Sequence, residues 1–415
     1  MSTETCDETC DERLREEARE QLDDLVSIRR TLHQWPELGN HLPVTRETVL
    51  GAIDGLPLDL TLHETTSGIV GMLTGAKPGP TVLLRGDMDA LPMPEDTGLD
   101  FSSKVDNAMH ACGHDTHTAM LVGAARLLSA RQADLAGRVM FMFQPGEEGH
   151  AGARFMLEEG LLSVGPHAAD GSDSPVTGAF AMHITSSIPT GFVSTRPGAC
   201  MASSDTLKIV VRGRGGHASE PHRALDPIPI ACEIVQALQT MVTRRIDVFD
   251  PTIVTVAKIV AGTTTNVIPE VAEIQGTIRA VSEKTRAKVH DGIRRVAEGI
   301  AAAHEAEVEV ETVYGYPVTV NGADFTEFSM GVASDVLGAD KVIRLPNPVM
   351  GAEDWSYVIE RVPGTMMFLG GTPLDRNVAT AAPNHSNRVY FDESAMVDGV
   401  ATYAAVALRH LGANG

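Results

Sequence analysis

Residues 81–92 have the sequence TVLLRGDMDALP, in which an apolar run, Thr81–Leu84, is followed at once by charged residues. A second aliphatic run, Gly68–Thr74, precedes it and is separated from it by the turn-forming residues 77–80, KPGP. Runs of β-branched and aliphatic residues bounded by Pro and Gly are typical of strands. The pattern predicts two neighbouring strands and, after the second, a loop with two carboxylates, Asp87 and Asp89.

The segments on either side extend this pattern into an α/β sheet. Upstream, leucines and isoleucines at three- and four-residue spacing predict a helical region that ends at Pro36. Downstream, Thr118–Leu128 predicts a helix, and Arg138–Phe143 and Ala179–Ile184 predict further strands. Strands that alternate with helices in this way indicate a mixed sheet covered by helices. The ligands of such sheets usually lie at strand ends.

A different order of elements occupies residues 203–317. The order strand, helix, strand, strand, helix, strand is that of a ferredoxin-like α+β domain. Residues 318–415 return to the earlier α/β pattern, so the sequence predicts a discontinuous larger domain, 1–202 and 318–415, with 203–317 inserted into it. The elements predicted in the insert are the strands Thr206–Val211, Thr252–Ile259, Glu273–Arg279 and Glu307–Val313 and the helices Pro227–Arg244 and Lys284–Ala303.

The composition excludes several classes of protein. The chain has 415 residues, 33 basic and 55 acidic side chains and a formal net charge of −22, so we expect neither a nucleic-acid nor an anionic-membrane partner. No apolar segment reaches the roughly 18–20 residues of a membrane span, and the first twenty residues lack the pattern of a secretory signal. Five scattered cysteines do not suggest a disulfide framework. We therefore predict a cytoplasmic protein that binds a small molecule.

A cluster of metal-binding residue types lies in residues 109–117, MHACGHDTH, which contain one thiol and three imidazoles. Thiolate and imidazole suit zinc, and imidazole with carboxylate also suits manganese or cobalt. A mixed set of sulfur, nitrogen and oxygen ligands tolerates nickel as well, so the metal is left open. A nucleophilic or redox role for Cys112 also stays open.

Other ionisable residues follow the predicted strands. Glu147 and Glu148 come directly after one of them, and one glutamate could bind a metal while its neighbour acts as general base. Asp87 and Asp89 could bind metal or accept the ring N–H of a ligating histidine. Taken alone, each pair would more often belong to a solvated loop.

Two isolated histidines complete the set. His183 ends the strand predicted at Ala179–Ile184, and His385 lies near the C-terminus. Four consecutive strand ends that each carry an ionisable group are poorly explained by coincidence. Such residues would suit two divalent ions about 3.5–4 Å apart, an arrangement used for hydrolysis.

These motifs resemble the M20 metallopeptidase and amidohydrolase family, and within it the N-acyl-amino-acid amidohydrolases that include hippurate and auxin-conjugate hydrolases. The resemblance runs from residues 32–38, LHQWPEL, to residues 384–386, NHS. It implies that Glu147 is the general base and acid and that Asp89 is an orienting carboxylate. It also implies two divalent ions per subunit, with Cys112 as a plausible bridge. The ligands that it implies are Cys112, His114, Glu148, His183 and His385.

The chain departs from parts of the family pattern. Peptidase branches have His-x-Asp where this chain has residues 87–89, DMD, and a bridging Asp where it has Cys-Gly-His-Asp, which disfavours a di- or tripeptidase. The loop after His183 lacks the aromatic residue often found there, and Asn387 replaces the usual Pro. The identity of the acyl group is therefore left open.

Three motif residues lie in the insert. His217 could donate a hydrogen bond to an oxyanion, Asn266 is an amide donor, and Arg279 could bind the substrate carboxylate. In related enzymes this domain forms the dimer contact and acts as a lid, so the resemblance implies a homodimer or a dimer-based oligomer.

The expected activity is hydrolysis of an N-acyl-L-amino acid to a carboxylate and a free amino acid. The first alternative is a metal-dependent dipeptidase of the same family. The second is a thiol hydrolase with Cys112 as nucleophile. A non-catalytic metal-binding protein ranks last, because Glu147 is present beside every implied ligand.

Overall fold

The computed structural model describes residues 4–166 and 170–413. The helices are α1 (Glu4–Glu20), α2 (Leu22–Gln34), α3 (Pro43–Ala52), α4 (His114–Ser129), α5 (Gly152–Glu158), α6 (Pro227–Arg245), α7 (Glu283–Ala303), α8 (Ala323–Leu337), α9 (Ser356–Ile359) and α10 (Ala395–Ala413). The strands are β1 (Leu58–Leu62), β2 (Ile69–Thr74), β3 (Lys77–Asp87), β4 (Ala136–Gln144), β5 (Val176–Pro189), β6 (Val193–Thr195), β7 (Gly198–Met201), β8 (Ser204–Arg212), β9 (Gly216–His217), β10 (Thr252–Ala261), β11 (Val267–Ile268), β12 (Val271–Ala280), β13 (Glu307–Tyr316), β14 (Thr319–Asn321), β15 (Val342–Arg344) and β16 (Gly364–Thr372).

The chain divides into two compact units. The first takes in the described parts of Met1–Gly198, Val320–Pro346 and Tyr357–Gly415, and the second takes in Ala199–Thr319 and Asn347–Ser356. None of the helices in the described ranges is long and apolar enough to cross a membrane.

The first unit is built on a mixed sheet in the order β1-β2-β4-β3-β5-β16-β6-β15. Its central strands β4, β3, β5 and β16 run parallel to one another, and β3 and β4 are buried along most of their lengths. Such strands have apolar residues on both faces because helices cover both sides of the sheet. Nearly every side chain of α4 is buried, since α4 packs on β3 and is covered by α2 and α10. The predicted α/β class with a mixed sheet is confirmed.

The second unit has the element order β8, α6, β10, β12, α7, β13, with its antiparallel sheet ordered β10-β12-β8-β13. Alternate residues of β8, beginning with Leu207, are buried against Ile230, Ile234 and Leu238 of α6. The side chain of Asp226 caps the N-terminus of α6, and that of Ser282 caps the N-terminus of α7.

Three local predictions for the first unit were wrong. Residues 77–80 belong to strand β3 and not to a turn. Strands β2 and β3 are not neighbours, because β4 lies between them and pairs with both. Helix α4 begins at His114, four residues before the predicted start, so part of the histidine motif forms its first turn.

Candidate metal centre

The proposed ligands meet at one edge of the large sheet. Strands β3, β4 and β5 are parallel, so the loops after β3 and β4 leave the sheet on the same side. These loops carry Asp89 and the Glu147-Glu148 pair. His183 lies within β5 rather than at its end, which corrects the sequence prediction. It still reaches this edge, because Arg85 of β3 is in register with Ala181 and β5 continues beyond that point.

The ligand atoms form two groups that share one thiol. Cys112, His114 and His183 form the first group, and Cys112, Glu148 and His385 form the second, with the potential ligand atoms of each group within 4.8 Å of one another. The Sγ atom of Cys112 lies 3.3 Å from Nε2 of His183, and Nε2 of His385 lies 3.2 Å from Oε1 of Glu148. A thiolate common to two ligand groups has the position expected of a bridge between two cations.

The orientation of the imidazole rings favours metal binding. Nδ1 of His183 donates to the carbonyl oxygen of Ile184 at 2.7 Å, and Nδ1 of His114 donates to that of Asp89 at 2.8 Å. These bonds leave Nε2 of each ring directed at the other ligands. Nε2 of His114 is buried and makes no hydrogen bond within the described part of the chain. Because a buried polar atom without a partner is costly, the donor set fits a soft or borderline divalent cation.

Asp89 holds the glutamate pair in place. Its two carboxylate oxygens accept hydrogen bonds from the backbone N–H groups of Glu147, at 2.8 Å, and Glu148, at 3.0 Å. Both glutamate side chains come within 4.0 Å of Nε2 of His114. Asp89 therefore positions the turn that carries one proposed ligand and the proposed base.

Burial and mutual contacts shift the pKa values of the proposed ligands. Burial raises the pKa of the Cys112 thiol. Burial would also raise the pKa of Glu148, but the hydrogen bond from His385 and the charge of His114 outweigh it and lower this pKa. Hydrogen bonds with Cys112 and Glu148 raise the pKa of His385 to about 10. A divalent cation would replace these protons, because a coordinated thiol is held as the thiolate.

Two histidines of the same motif lie outside the two groups that share Cys112, although His117 forms a further potential metal-binding group with Asp87 and His114. His117 donates from Nδ1 to Asp87 at 2.6 Å and accepts the N–H of Ile184 at Nε2, also at 2.6 Å, so both ring nitrogens are engaged. His110 is buried, neither of its ring nitrogens has a hydrogen-bond partner in the described ranges, and burial lowers its pKa to about 3. Spacing alone does not distinguish these rings from that of His114.

Asp87 contacts His114 and His117 of the centre, and the sequence did not give it a definite role. It lies 2.9 Å from the guanidinium of Arg85 and 3.3 Å from Nε2 of His114. Burial would raise the pKa of Asp87, but Arg85 and the nearby histidines hold it well below its usual range. Asp87, His114 and His117 form a further potential metal-binding group. Because the Arg85 guanidinium and Nδ1 of His117 both contact this carboxylate, Asp87 is also placed to orient the histidine rings.

The three motif residues of the insert lie in the second unit. His217 of β9 pairs with Val267 of β11, and the carbonyl of Asn266 accepts the N–H of Ala218 at 3.1 Å, so His217 and Asn266 lie close together. Arg279 lies on β12, and burial lowers its pKa. Elsewhere in the chain, Cys200 is buried and Cys232 is exposed, and the side chains of Cys6 and Cys10 lie outside the described residues.

A thiol, imidazoles and carboxylates gathered at the edge of a helix-covered sheet define a candidate hydrolase with a divalent-metal site. The model of the family described as Peptidase family M20/M25/M40 matches residues 83–409. The chain belongs to this family, which confirms the resemblance drawn from its motifs.

Similar proteins cover nearly the whole chain. Thermostable carboxypeptidase 1 of Saccharolobus solfataricus is 38% identical over 391 residues, 93% of this chain and 95% of that protein. N-acetylcysteine deacetylase of Bacillus subtilis is 37% identical over 384 residues, 90% and 96% of the two chains. IAA-amino acid hydrolase ILR1-like 4 of Arabidopsis thaliana is 35% identical over 393 residues, 94% and 86% of the two chains.

A solved structure gives the same result. The crystal structure of the Bacillus subtilis YXEP protein, described as a dinuclear metal-binding peptidase from the M20 family, has a TM-score of 0.80 and 32% identity. It covers 95% of this chain and 99% of its own. The chain is therefore a hydrolase of the M20 family with a candidate site for divalent metal.

Proposed function

We propose that this protein hydrolyses the amide bond of N-acyl-L-amino acids. The observation that carries the proposal is the pair of ligand groups that share Cys112, with Glu147 beside them. Support also comes from two similar proteins whose names describe the hydrolysis of N-acyl amino acids. Two departures from the pattern of the peptidase branches also favour an amidohydrolase. They are residues 87–89, DMD, and the cysteine of the Cys-Gly-His-Asp motif.

The proposed ligands would hold two divalent ions, one in each group that shares Cys112. When bound, the ions would polarise the amide carbonyl and lower the pKa of a water molecule. Zinc, manganese, cobalt and nickel all suit this mixed donor set.

Glu147 carries the proton in this proposal. Its carboxylate accepts a proton from the attacking water, whose oxygen forms a bond to the carbonyl carbon of the substrate. The same carboxyl group then returns the proton to the amide nitrogen as the carbon–nitrogen bond breaks. The acid product then loses its remaining hydroxyl proton, which the amine takes up from the solvent, so the products are a carboxylate and a free amino acid with a protonated amine, and Glu147 is ionised again. The hydrogen bonds from the backbone to Asp89 hold this glutamate at its place throughout.

Several finer assignments stay predictions. The resemblance and the side-chain chemistry suggest the oxyanion donor His217 and the substrate contacts of Asn266 and Arg279. The resemblance also implies the lid and dimer role of residues 203–317 and the homodimer, whereas the cytoplasmic location rests on the composition.

The adjacent glutamates provide a matched test. Glu147→Gln keeps the size of the side chain but removes the proton acceptor, so we expect turnover to fall by about 10²–10⁴-fold with metal content unchanged. Glu148→Gln removes a proposed ligand, so we expect it to lose metal affinity as well. Elemental analysis and steady-state kinetics on acetyl-, benzoyl- and indoleacetyl-amino acids measure both effects. Near-normal turnover of Glu147→Gln would overturn the assignment of the base.

A dipeptidase or carboxypeptidase is the second candidate, because a carboxypeptidase is 38% identical to this chain. Dipeptides and N-blocked dipeptides belong in the same substrate panel, with and without added divalent ion. Cleavage of peptides without cleavage of N-acyl amino acids would favour this alternative. Activity that resists chelators but is blocked by an alkylating agent would instead favour Cys112 as a nucleophile.

A further inference from the structure

The side chain of Asn384 joins the chain segments that carry the proposed ligands. Its Nδ2 donates to the carbonyl oxygens of Cys112, at 3.1 Å, and Ile184, at 3.0 Å. Its Oδ1 accepts the backbone N–H of Ser186 at 3.0 Å. We propose that Asn384 is a positioning residue that sets the geometry of Cys112, His183 and His385 for metal binding.

Each of these hydrogen bonds ends on a segment that carries a ligand. Cys112 is itself a ligand in the proposed function, Ile184 directly follows the ligand His183, and Asn384 directly precedes the ligand His385. One amide therefore connects three segments: Cys112 lies about 70 positions before His183, and Asn384 lies about 200 positions after Ile184.

Asn384 acts on the His183 ring through a shared acceptor. The carbonyl oxygen of Ile184 accepts Nδ1 of His183 at 2.7 Å and Nδ2 of Asn384 at 3.0 Å. The same segment is held from its other side, since Thr372 donates its hydroxyl to the carbonyl oxygen of Ser186 at 2.6 Å. Loss of the amide would release the acceptor that fixes which ring nitrogen of His183 faces the cation.

The backbone of His385 depends on the same contacts. His385 has a φ of +67°, a left-handed conformation that is uncommon for residues other than Gly, although His adopts it more often than most. Its N–H donates to the carbonyl oxygen of Ala111 at 2.9 Å, next to Cys112. A residue in this conformation persists only where its surroundings hold it, and the amide of the preceding residue is one of the groups that do so.

The chemistry of the side chain is specific to an amide. Asn offers two N–H donors and one carbonyl acceptor, and all three are used here. Asp has nearly the same shape but no donor, so Asn384→Asp would place a carboxylate against two carbonyl oxygens. A role in positioning ligands therefore predicts that Asp is as damaging as Ala at this position.

The chain offers a matched control in Asn321. Its Nδ2 donates to the hydroxyl of Thr195 and to the carbonyl oxygens of Arg196 and Met366, and its Oδ1 accepts the N–H of Met366. Asn321 thus joins separate segments of the same unit without bonding to a segment that carries a proposed ligand. Asn321→Ala should lower the melting temperature of the metal-free protein and leave the metal centre unchanged.

The experiment uses the full chain loaded with Co²⁺, whose bond to a thiolate gives a near-ultraviolet charge-transfer band and whose visible bands report coordination geometry. Competition with a chelator gives the Co²⁺ affinity, and thermal melting of the metal-free protein tests the fold. We expect Asn384→Ala and Asn384→Asp to lower the Co²⁺ affinity by about 10–100-fold and to alter the visible bands, while Asn321→Ala matches the wild type in both. If Asn384→Ala does not fold, the Co²⁺ spectrum and affinity of Asn384→Asp provide the test instead.

The outcomes separate this inference from the proposed function on which it rests. A wild-type protein without the thiolate band overturns the Cys112 metal centre and the inference together. A normal wild-type spectrum with unchanged Asn384 variants overturns the inference alone. Equal losses in Asn384→Ala and Asn321→Ala would show a general loss of stability and would also overturn it.

Discussion

Replacing His33 by glutamine should change the stability of the protein in a strongly pH-dependent way. His33 is a buried residue of α2 that links this helix to the start of α4. Its Nδ1 lies 2.9 Å from Oδ2 of Asp115 and its Nε2 lies 3.3 Å from Oε1 of Glu95. Arg29 bonds to the same Asp115 oxygen at 3.0 Å, and the ring of His110 lies 6.2 Å away between centroids.

The size of the effect follows from the pKa of His33. Burial alone would lower this pKa, but the hydrogen bonds with Asp115 and Glu95 outweigh both burial and the Arg29 charge and raise it from 6.5 to about 9. At about 1.4 kcal/mol for each pH unit, the protonated ring stabilises the folded state by about 3 kcal/mol. Because the folded pKa is the higher one, this stabilisation is complete below about pH 6.5 and is lost as the pH rises through 9.

Urea unfolding of the chelator-treated protein, followed by circular dichroism, measures the effect without interference from metal binding. We expect the difference in unfolding free energy between wild type and His33→Gln to be about 3 kcal/mol larger at pH 6 than at pH 9.5. His304→Gln is the control, because His304 makes an exposed hydrogen-bond contact with Glu233, and exposed contacts of this kind contribute little to stability. A wild-type advantage that is the same at both pH values would refute this reasoning.

Three further predictions concern the metal centre. Asp89→Ala removes the acceptor of two backbone N–H groups, so we expect about 10–100-fold weaker metal binding and slower turnover, and an unchanged affinity in a chelator competition would contradict this. Gly113 has a φ of +94°, and a Cβ added there would clash with a neighbouring side chain, so urea unfolding of Gly113→Ala should show a free energy of unfolding lower by about 2 kcal/mol or more. The control is Gly51→Ala in helix α3, where the added Cβ meets no other atom, and this variant should be neutral or stabilising. Removing metal should lower the melting temperature, because a free ion at 100 times its dissociation constant stabilises the folded state by about 2.7 kcal/mol for each site. A melting temperature insensitive to chelator would argue against any bound ion.

The sequence predicted the residue types of the candidate site and the order of the six main elements in residues 203–317. Thiol, imidazole and paired carboxylates are chemically distinctive, and their places after apolar runs are visible along the chain. The resemblance to the M20 family then selected Cys112, His114, Glu148, His183 and His385 from the candidates, and the structure brings these five together. The α/β class followed from local periodicity, which depends on neighbouring residues and needs no knowledge of distant contacts.

Local pattern failed where pairing between distant segments decides the result. Residues 77–80 have the sequence of a turn, yet they extend β3, and the backbone of residue 77 pairs with that of Ala136 in β4. Strand β4 enters between β2 and β3 although it follows both in the chain. The identity of a strand's neighbour depends on which apolar faces can be buried together, and a short window of sequence does not contain that information.

The residue types and their spacing along the chain already determined which side chains could bind a cation and move a proton. Only the tertiary structure decided that Asp87 and the N–H of Ile184 engage both ring nitrogens of His117, and that Asn384 connects segments some 200 positions apart. The physical reason is that a donor's chemistry belongs to its own side chain. The direction in which that donor points is set by hydrogen bonds to distant backbone groups, and these exist only once the sheet and its helices have packed.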